Sequence, residues 1–189
     1  MKHLFLLTVI TALFPFALNA EDQKFGVVDM ERLFKDYYKT KIANAKLKKQ
    51  AETYKDYAGK LAASQLKLQE EFKDLRDASQ NIALSETQRE SKRLAAQDKY
   101  RQLKSKEMEL EQYQREKRMQ LRDQETKMRK DLITEIRKAI AKYAKQHSYT
   151  VVFDSSGKTL NNIPSVIYFK TEMDITEDIL VIINKGAEK

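Results

Sequence analysis

The feature that most constrains this chain is an apolar seam whose members lie alternately four and three residues apart. It runs through Leu33, Tyr37, Thr40, Asn44, Leu47, Ala51, Tyr54, Ala58, Leu61, Gln65, Leu68, Phe72 and Leu75, and ten of the thirteen are apolar. A repeat averaging about 3.5 residues keeps one narrow stripe facing a partner helix, so it selects a left-handed coiled coil over a broad amphipathic face. Asp29 is placed to cap the helix, which begins near Glu31, because its carboxylate can accept from exposed backbone N–H groups. At about 1.5 Å per residue the helix to Ala78 is roughly 70 Å long. This is an arm, not a globule.

The repeat fails over Ser79-Gln-Asn-Ile-Ala-Leu84, where the chain turns. Ser85-Glu-Thr-Gln88 then reads as a capping box: Ser85 accepts from the Gln88 N–H while the Gln88 side chain reaches back. A short connection makes the second helix, to Gln146, an antiparallel neighbour of the first. Residues 31–146 are thus expected to form an antiparallel coiled-coil hairpin with its tip near 79–85. The second helix is less regular. Leu103 and Leu110 are seven apart, as are Leu121 and Met128, but eleven residues separate Leu110 from Leu121. Such a stutter locally unwinds a coiled coil. The polar stretch Gln112–Arg118 at the stutter predicts a loosened, bending segment. Nearer the end, Leu132, Ile133, Ile136, Ala139, Ile140 and Tyr143 restore a dense apolar face, so the root of the hairpin should be its rigid part.

A hairpin of this length has no compact core of its own, and the rest of the chain supplies a small body from both ends. Phe25-Gly-Val-Val28, Thr150-Val-Val-Phe153 and Ser165-Val-Ile-Tyr-Phe169 read as strands, with Asp154-Ser-Ser-Gly157 as a turn. Asp174-Ile-Thr-Glu177 caps a last short helix carrying Ile175, Ile179, Ile182 and Ile183 on one side. By propensity alone Ile179–Ile183 also fits a strand; the capping pattern favours helix. The class is mainly α with a small β body, α+β. The body comprises residues 21–30 and 147–189. A unit this small is marginal alone and gains stability from disulfides, metal or assembly. There is no cysteine, and residues 21–189 hold one histidine, His147, so the common metal and nucleophile sets lack their parts. Assembly remains, with strand edges hidden between copies.

Residues 1–20 read as a removable export signal: Lys2, then the apolar stretch Leu4–Phe14, with Ala20 as the last residue before cleavage. Charge is unevenly divided. Residues 31–78 carry 12 basic and 8 acidic side chains and residues 86–146 carry 18 and 11, so the arm holds +11. The two body pieces together carry −4. A basic arm on an acidic body points to a positively charged working surface.

Two groups on the arm are candidates for that surface. Tyr38, Tyr57, Met108, Tyr113 and Met119 lie off the seam and can offer adaptable apolar contacts, or pack sideways on the arm itself. Arg115, Lys117, Arg118 and Arg122 can grip an anionic partner, or form a solvated face. His147, at the end of the helix, is suited to the C-terminal carbonyls and dipole. Gly59 is a hinge or a tolerated defect. The glycines Gly26, Gly59, Gly157 and Gly186 form no phosphate-cradling loop, so no nucleotide or other cofactor is expected, and no enzyme.

The entry Phe25-Gly-Val-Val-Asp-Met-Glu-Arg-Leu-Phe34, the exit Tyr149-Thr-Val-Val-Phe-Asp154 and the closing Val166-Ile-Tyr168 with Asp174-Ile-Thr-Glu-Asp-Ile-Leu180 resemble the OmpH/Skp family of periplasmic chaperones. The resemblance follows the chain in order after the signal. It implies a homotrimer in which strands bearing Val27, Val28, Val151, Phe153, Val166 and Tyr168 form a β-barrel-like body. Three arms would hang from it around a cavity. It further implies ATP-independent holding of unfolded outer-membrane proteins in the periplasm. Anionic membrane lipids are potential partners, and nucleic acid is not expected. Two alternatives stand beside this reading: a coiled-coil spacer or tether of the envelope, and a polyanion binder.

Overall fold

The computed structural model describes residues 23–187; the leader expected over residues 1–20 lies outside them. In order the elements are β1 (Lys24–Val28), α1 (Met30–Asp36), α2 (Tyr38–Ser79), α3 (Glu86–Gln146), β2 (Tyr149–Asp154), a 3-10 turn (Thr171–Met173) and α4 (Thr176–Ile183). Asp29 caps α1 as its sequence position suggested, its carboxylate accepting from the Arg32 N–H at 2.8 Å. The capping box at Ser85 is present in both directions, Gln88 N–H to Ser85 Oγ at 3.3 Å and Ser85 N–H to Gln88 Oε1 at 3.1 Å. At about 1.5 Å per residue, α2 with 42 residues spans about 63 Å and α3 with 61 spans about 90 Å.

The two long helices pair as a hairpin. Contacts climb one helix as they descend the other: Lys39 meets Glu135, Tyr54 and Tyr57 meet Tyr113, and Glu71 meets Lys99. The seam read from α2 is the packed face, with one correction. Asn44 is exposed, and the half-buried Ala43 takes the place between Thr40 and Leu47. An amide at that position would lose its water, whereas the alanine methyl fits the gap.

The first helix is not continuous, contrary to its sequence pattern. It breaks at Tyr37, whose φ of −65° and ψ of 124° are extended. No proline or glycine lies between Val27 and Ala58, so the break is not encoded locally. It is held by tertiary contacts. The Tyr38 N–H donates to Asn184 Oδ1 at 2.8 Å, Asn184 Nδ2 donates to the Asp36 carbonyl at 3.3 Å, and the Tyr37 hydroxyl donates to Glu135 Oε2 at 2.8 Å.

In the body, β1 and β2 pair in parallel, with Phe25 opposite Val151 and Val27 opposite Phe153 and an irregularity after Lys24. On the other edge of β1, Val27 bridges Asp174, and the Ile175 N–H donates to the Val27 carbonyl at 2.9 Å. Gly26 permits a close approach here: a Cβ would meet the Tyr149 ring at 3.1 Å and Ile175 Cδ1 at 3.3 Å, so both side chains would have to give way. The N-terminus of α1 is capped across the body as well, since Asp154 Oδ1 accepts from the Met30 N–H and Ser156 Oγ from the Glu31 N–H, both at 3.2 Å. The Asp154–Gly157 turn thus has a structural task. The core lies where α1, α4 and the end of α3 meet, around Leu33, Ile136 and Ile179, none of which reaches solvent.

Two body expectations are corrected. Ser165–Phe169 forms no strand; Ile167 is 87% and Tyr168 81% exposed. Its β-branched and aromatic residues suit a strand, but no neighbouring strand among the described residues supplies the ladder hydrogen bonds that make one. Upstream, Lys158 bridges Pro164 around Asn162, which takes a positive φ of 61°. The last segment is helical, yet Ile182 points outward; Ile175, Ile179 and Leu180 are buried and Ile183 half-buried. Asp174 accepts from the Thr176 N–H at 2.8 Å, an i to i+2 turn preceding α4 and not a box with Glu177.

Candidate functional site

The arm carries most of the candidate residues, and its geometry divides them into those spent on the fold and those left over. The seam of α3 does not fail at the stutter. From Leu110 the half-buried positions continue through Tyr113, Lys117 and Leu121, so the gap of eleven is filled by steps of three, four and four. That is the 11-residue spacing a straighter pair of helices accepts. Tyr113 packs against Tyr57 with ring centroids 4.8 Å apart and edge-on to Tyr54 at 6.4 Å. Lys117 Nζ sits 5.1 Å from the Tyr54 ring and 5.6 Å from that of Tyr113. Burial, and then the neighbouring Tyr54 and Tyr57, push the Tyr113 hydroxyl pKa up. The polar gap expected over Gln112–Arg118 is therefore bridged by an aromatic cluster with a lysine laid over it. A period search for aliphatic residues alone could not see it.

Tyr113 and Lys117 thus belong to the joint between the helices. Tyr38 lies at the root, edge-on to Tyr37 at 5.3 Å and packed against the body core. The residues left over are Met108 at 65% exposure and Met119 at 61%; Tyr57, packed on Tyr113, still shows one side to solvent at 47%. Arg115, Arg118 and Arg122 are exposed. Arg115 pairs with Glu111 at 2.6 Å, while Arg118 and Arg122 have no ion-pair partner among the described residues. Met108 and Arg115 share a shallow cleft of about 420 Å³ with Glu111, Gln112 and Glu116. This mid-arm surface is apolar in patches, basic and open.

A second arm surface was not legible from the seam. Near the tip, Phe72 and Tyr100 stack with centroids 5.4 Å apart, and Arg76, Arg93 and Arg101 surround them in a cleft of about 730 Å³. Each arginine is tied to a carboxylate on its own helix: Asp77, Glu90 and Asp98 respectively. At the tip itself Ile82 is 91% exposed.

The root is tied more firmly. Lys39 Nζ approaches Glu135 Oε2 at 2.7 Å, and the same oxygen accepts from Tyr37. The Lys39 hydrogen bond, with that of Tyr37 second, holds the Glu135 carboxyl below its ordinary range. Tyr143 donates to Asp178 at 2.7 Å, which pushes its hydroxyl up to about 12 and pins α3 to α4. His147 does not spend its ring on helix carbonyls; the ring lies on Tyr143 with centroids 4.1 Å apart.

Of the residues expected in the body that gathers the copies, Val27 and Val28 lie in its core. They are 1% and 3% exposed within a single chain, because β1 is flanked on both edges and covered by Ile175 and its neighbours. Val151, Phe153 and Tyr168 do face outward, Val166 is half-buried, and Phe25, Leu160 and Ile167 extend the exposed apolar surface.

Body and arm together, over residues 24–183, match a family described as outer membrane protein (OmpH-like). The chain belongs to the OmpH-like family. The match runs from β1 to the last residue of α4, so this family member's body, arm and closing helix are one family unit. No curated protein matches the chain. No helix among the described residues is long and apolar enough to cross a membrane.

Proposed function

We propose that this OmpH-like protein is an ATP-independent holdase of the periplasm that keeps unfolded outer-membrane proteins from aggregating. The observation that carries the reading is the family match over residues 24–183. The arm supplies the means. Its aliphatic seam is consumed between α2 and α3, which leaves a basic surface with scattered exposed Met and Tyr side chains. Long-range attraction recruits chains that carry acidic stretches, and pliable thioethers grip without demanding one sequence.

The body supplies the number of arms. Phe25, Val151, Phe153, Ile167 and Tyr168 present apolar side chains to solvent on a small unit, more than a stable monomer of this size leaves uncovered. A homotrimer with a β-barrel-like body covers them and gives Ser165–Phe169 a strand partner. Three arms then enclose a cavity, and many weak contacts from several arms add up to firm retention. Anionic lipid at the membrane surface is a second ligand for the same basic faces. The protein is exported by cleavage after Ala20.

Light scattering tests the proposal. The mature protein, without ATP, is expected to suppress aggregation of an outer-membrane protein diluted from denaturant. Aggregation that proceeds unchanged at an excess of trimer refutes it.

A further inference from the structure

The break at Tyr37 is held from two sides, by Glu135 on α3 and by Asn184 at the end of α4. Sequence alone makes residues 31–58 a continuous helix: no glycine or proline intervenes, and Leu33, Tyr37 and Thr40 keep the seam in phase. In a continuous helix the Tyr38 N–H would bond the carbonyl four residues back. Here it is turned away. Breaking the ladder strands a donor at the start of α2 and acceptors at the end of α1, and such helix-end groups need partners. Asn184 satisfies one of each, its Oδ1 taking the Tyr38 N–H at 2.8 Å and its Nδ2 giving to the Asp36 carbonyl at 3.3 Å. An amide is the side chain for this task, since it alone offers an acceptor and a donor side by side without charge.

The position of Asn184 is itself fixed by the body. It closes α4, its N–H donating to the Leu180 carbonyl at 3.0 Å. Helix α4 is anchored by buried Ile179 and Leu180, by the Glu177 pair with Arg32 at 2.6 Å, and by Asp178 with Tyr143. Helix α3 passes the same level unbroken and runs on to β2. The arm therefore joins the body by one continuous strut, α3, and one spliced strut, α1–α2.

We infer that Asn184 is a positioning residue: it holds the α1–α2 splice in its broken form and so sets the direction in which the arm leaves the body. Loss of the amide lets Tyr37 return to helical backbone, and the arm, α2 with α3 packed along it, tilts relative to α1 and the core. The inference concerns arm geometry and does not depend on the holdase reading.

Because the chain has no cysteine, two spin labels can be placed at Glu172→Cys on the body and Lys60→Cys on α2, both exposed. Labelled protein diluted into excess unlabelled protein reports the distance within one chain. Lys60 lies about 35 Å along the helix from the joint. Straightening a kink of about 20° moves it by about 12 Å. With Asn184 intact one narrow distance is expected; Asn184→Ala should add a second population displaced by that order. Asn184→Asp keeps the acceptor for Tyr38 and loses the donor to Asp36, so it should give a smaller second population. If Asn184→Ala fails to fold, the Asp variant alone decides. Distances unchanged in the folded variants, with faster amide exchange confined to α4, overturn the inference and leave Asn184 a local cap. A changed distance with full holdase activity leaves the inference standing.

Discussion

Ile136 and Leu103 sit on the same helix, and their truncation should have very different reach. Ile136 is wholly buried at the root, in the cluster with Leu33 and Ile179; Leu103 is 6% exposed, in the tip-side half of the arm. Either change to alanine removes three carbons, a transfer loss of about 2.4 kcal/mol at about 0.8 kcal/mol per methylene. At Ile136 the cavity is walled by α1, α4 and α3, which cannot all close on it, and the cavity term brings the cost to about 4 kcal/mol. Around Leu103 only two helices are present, so they settle together and water reaches the rest. The cost there stays near the transfer value, about 2 kcal/mol. A small domain has only about 5–15 kcal/mol in all. Ile136→Ala should therefore raise hydrogen exchange throughout β1, β2, α4 and the root, and lower the melting temperature sharply. Leu103→Ala should raise exchange only in arm segments around residues 65–75 and 95–110. If Leu103→Ala loosens the body as much as Ile136→Ala does, arm and body are one cooperative unit and the division at the root is wrong.

Tyr113→Ala should speed exchange on both helices near residues 50–60 and 110–120 and unsettle the arm there, whereas Met108→Ala should leave exchange unchanged and weaken client retention. Equal exchange in the two variants would remove the distinction between a joint residue and a free surface residue. The root tie should also be visible in pH dependence. Glu135 has a folded-state pKa depressed by Lys39, so its contribution is present above the unfolded carboxylate value near about 4.3 and is lost as pH falls through the folded value. Lys39 and Tyr37 are both raised, so their contributions are present below about 10 and lost at higher pH. Glu135→Gln should flatten the acid limb of a stability–pH curve measured by thermal melting; an unchanged acid limb counts against the tie.

What was legible in the sequence is what short-range periodicity encodes. The α2 seam, the tip, the Ser85 capping box and the apolar root at Leu132–Tyr143 each rest on neighbours within a few turns, where side-chain spacing dictates the packed face. The break at Tyr37 was not legible, because the groups that hold it are remote: Asn184 lies 146 residues from Tyr38 and Glu135 lies 98 from Tyr37 along the chain. The placement of Tyr113 failed for another reason. A template that expects leucine at seven-residue intervals treats a stutter as an interruption, although an aromatic side chain and a lysine stem can span it. Ser165–Phe169 failed in the opposite direction: its composition is right for a strand, but a strand is a pairing, and a single chain offers it no pair. Val27 and Val28 read as strand residues of the body from their β-branched run, but the occupation of both edges of β1, by β2 and by the segment around Asp174, depends on contacts remote in sequence.

The connection between the two strands explains why the root must be the firm part. Parallel neighbours need a crossover, and here the crossover is the entire arm, since β1 precedes it and β2 follows it. A disordered loop of that length would oppose strand pairing through its closure entropy. A helical hairpin does not, because forming it from local contacts brings its two ends side by side before any body contact is made. The ends stay together only where the two struts are fastened to each other. That fastening is the Tyr37–Glu135–Lys39 tie and the apolar face around Ile136. Softness toward the tip costs the body nothing, since the strands feel only the spacing at the root. The arm is thus free to yield along its length, while the same helices, a few turns lower, hold β1 and β2 in register.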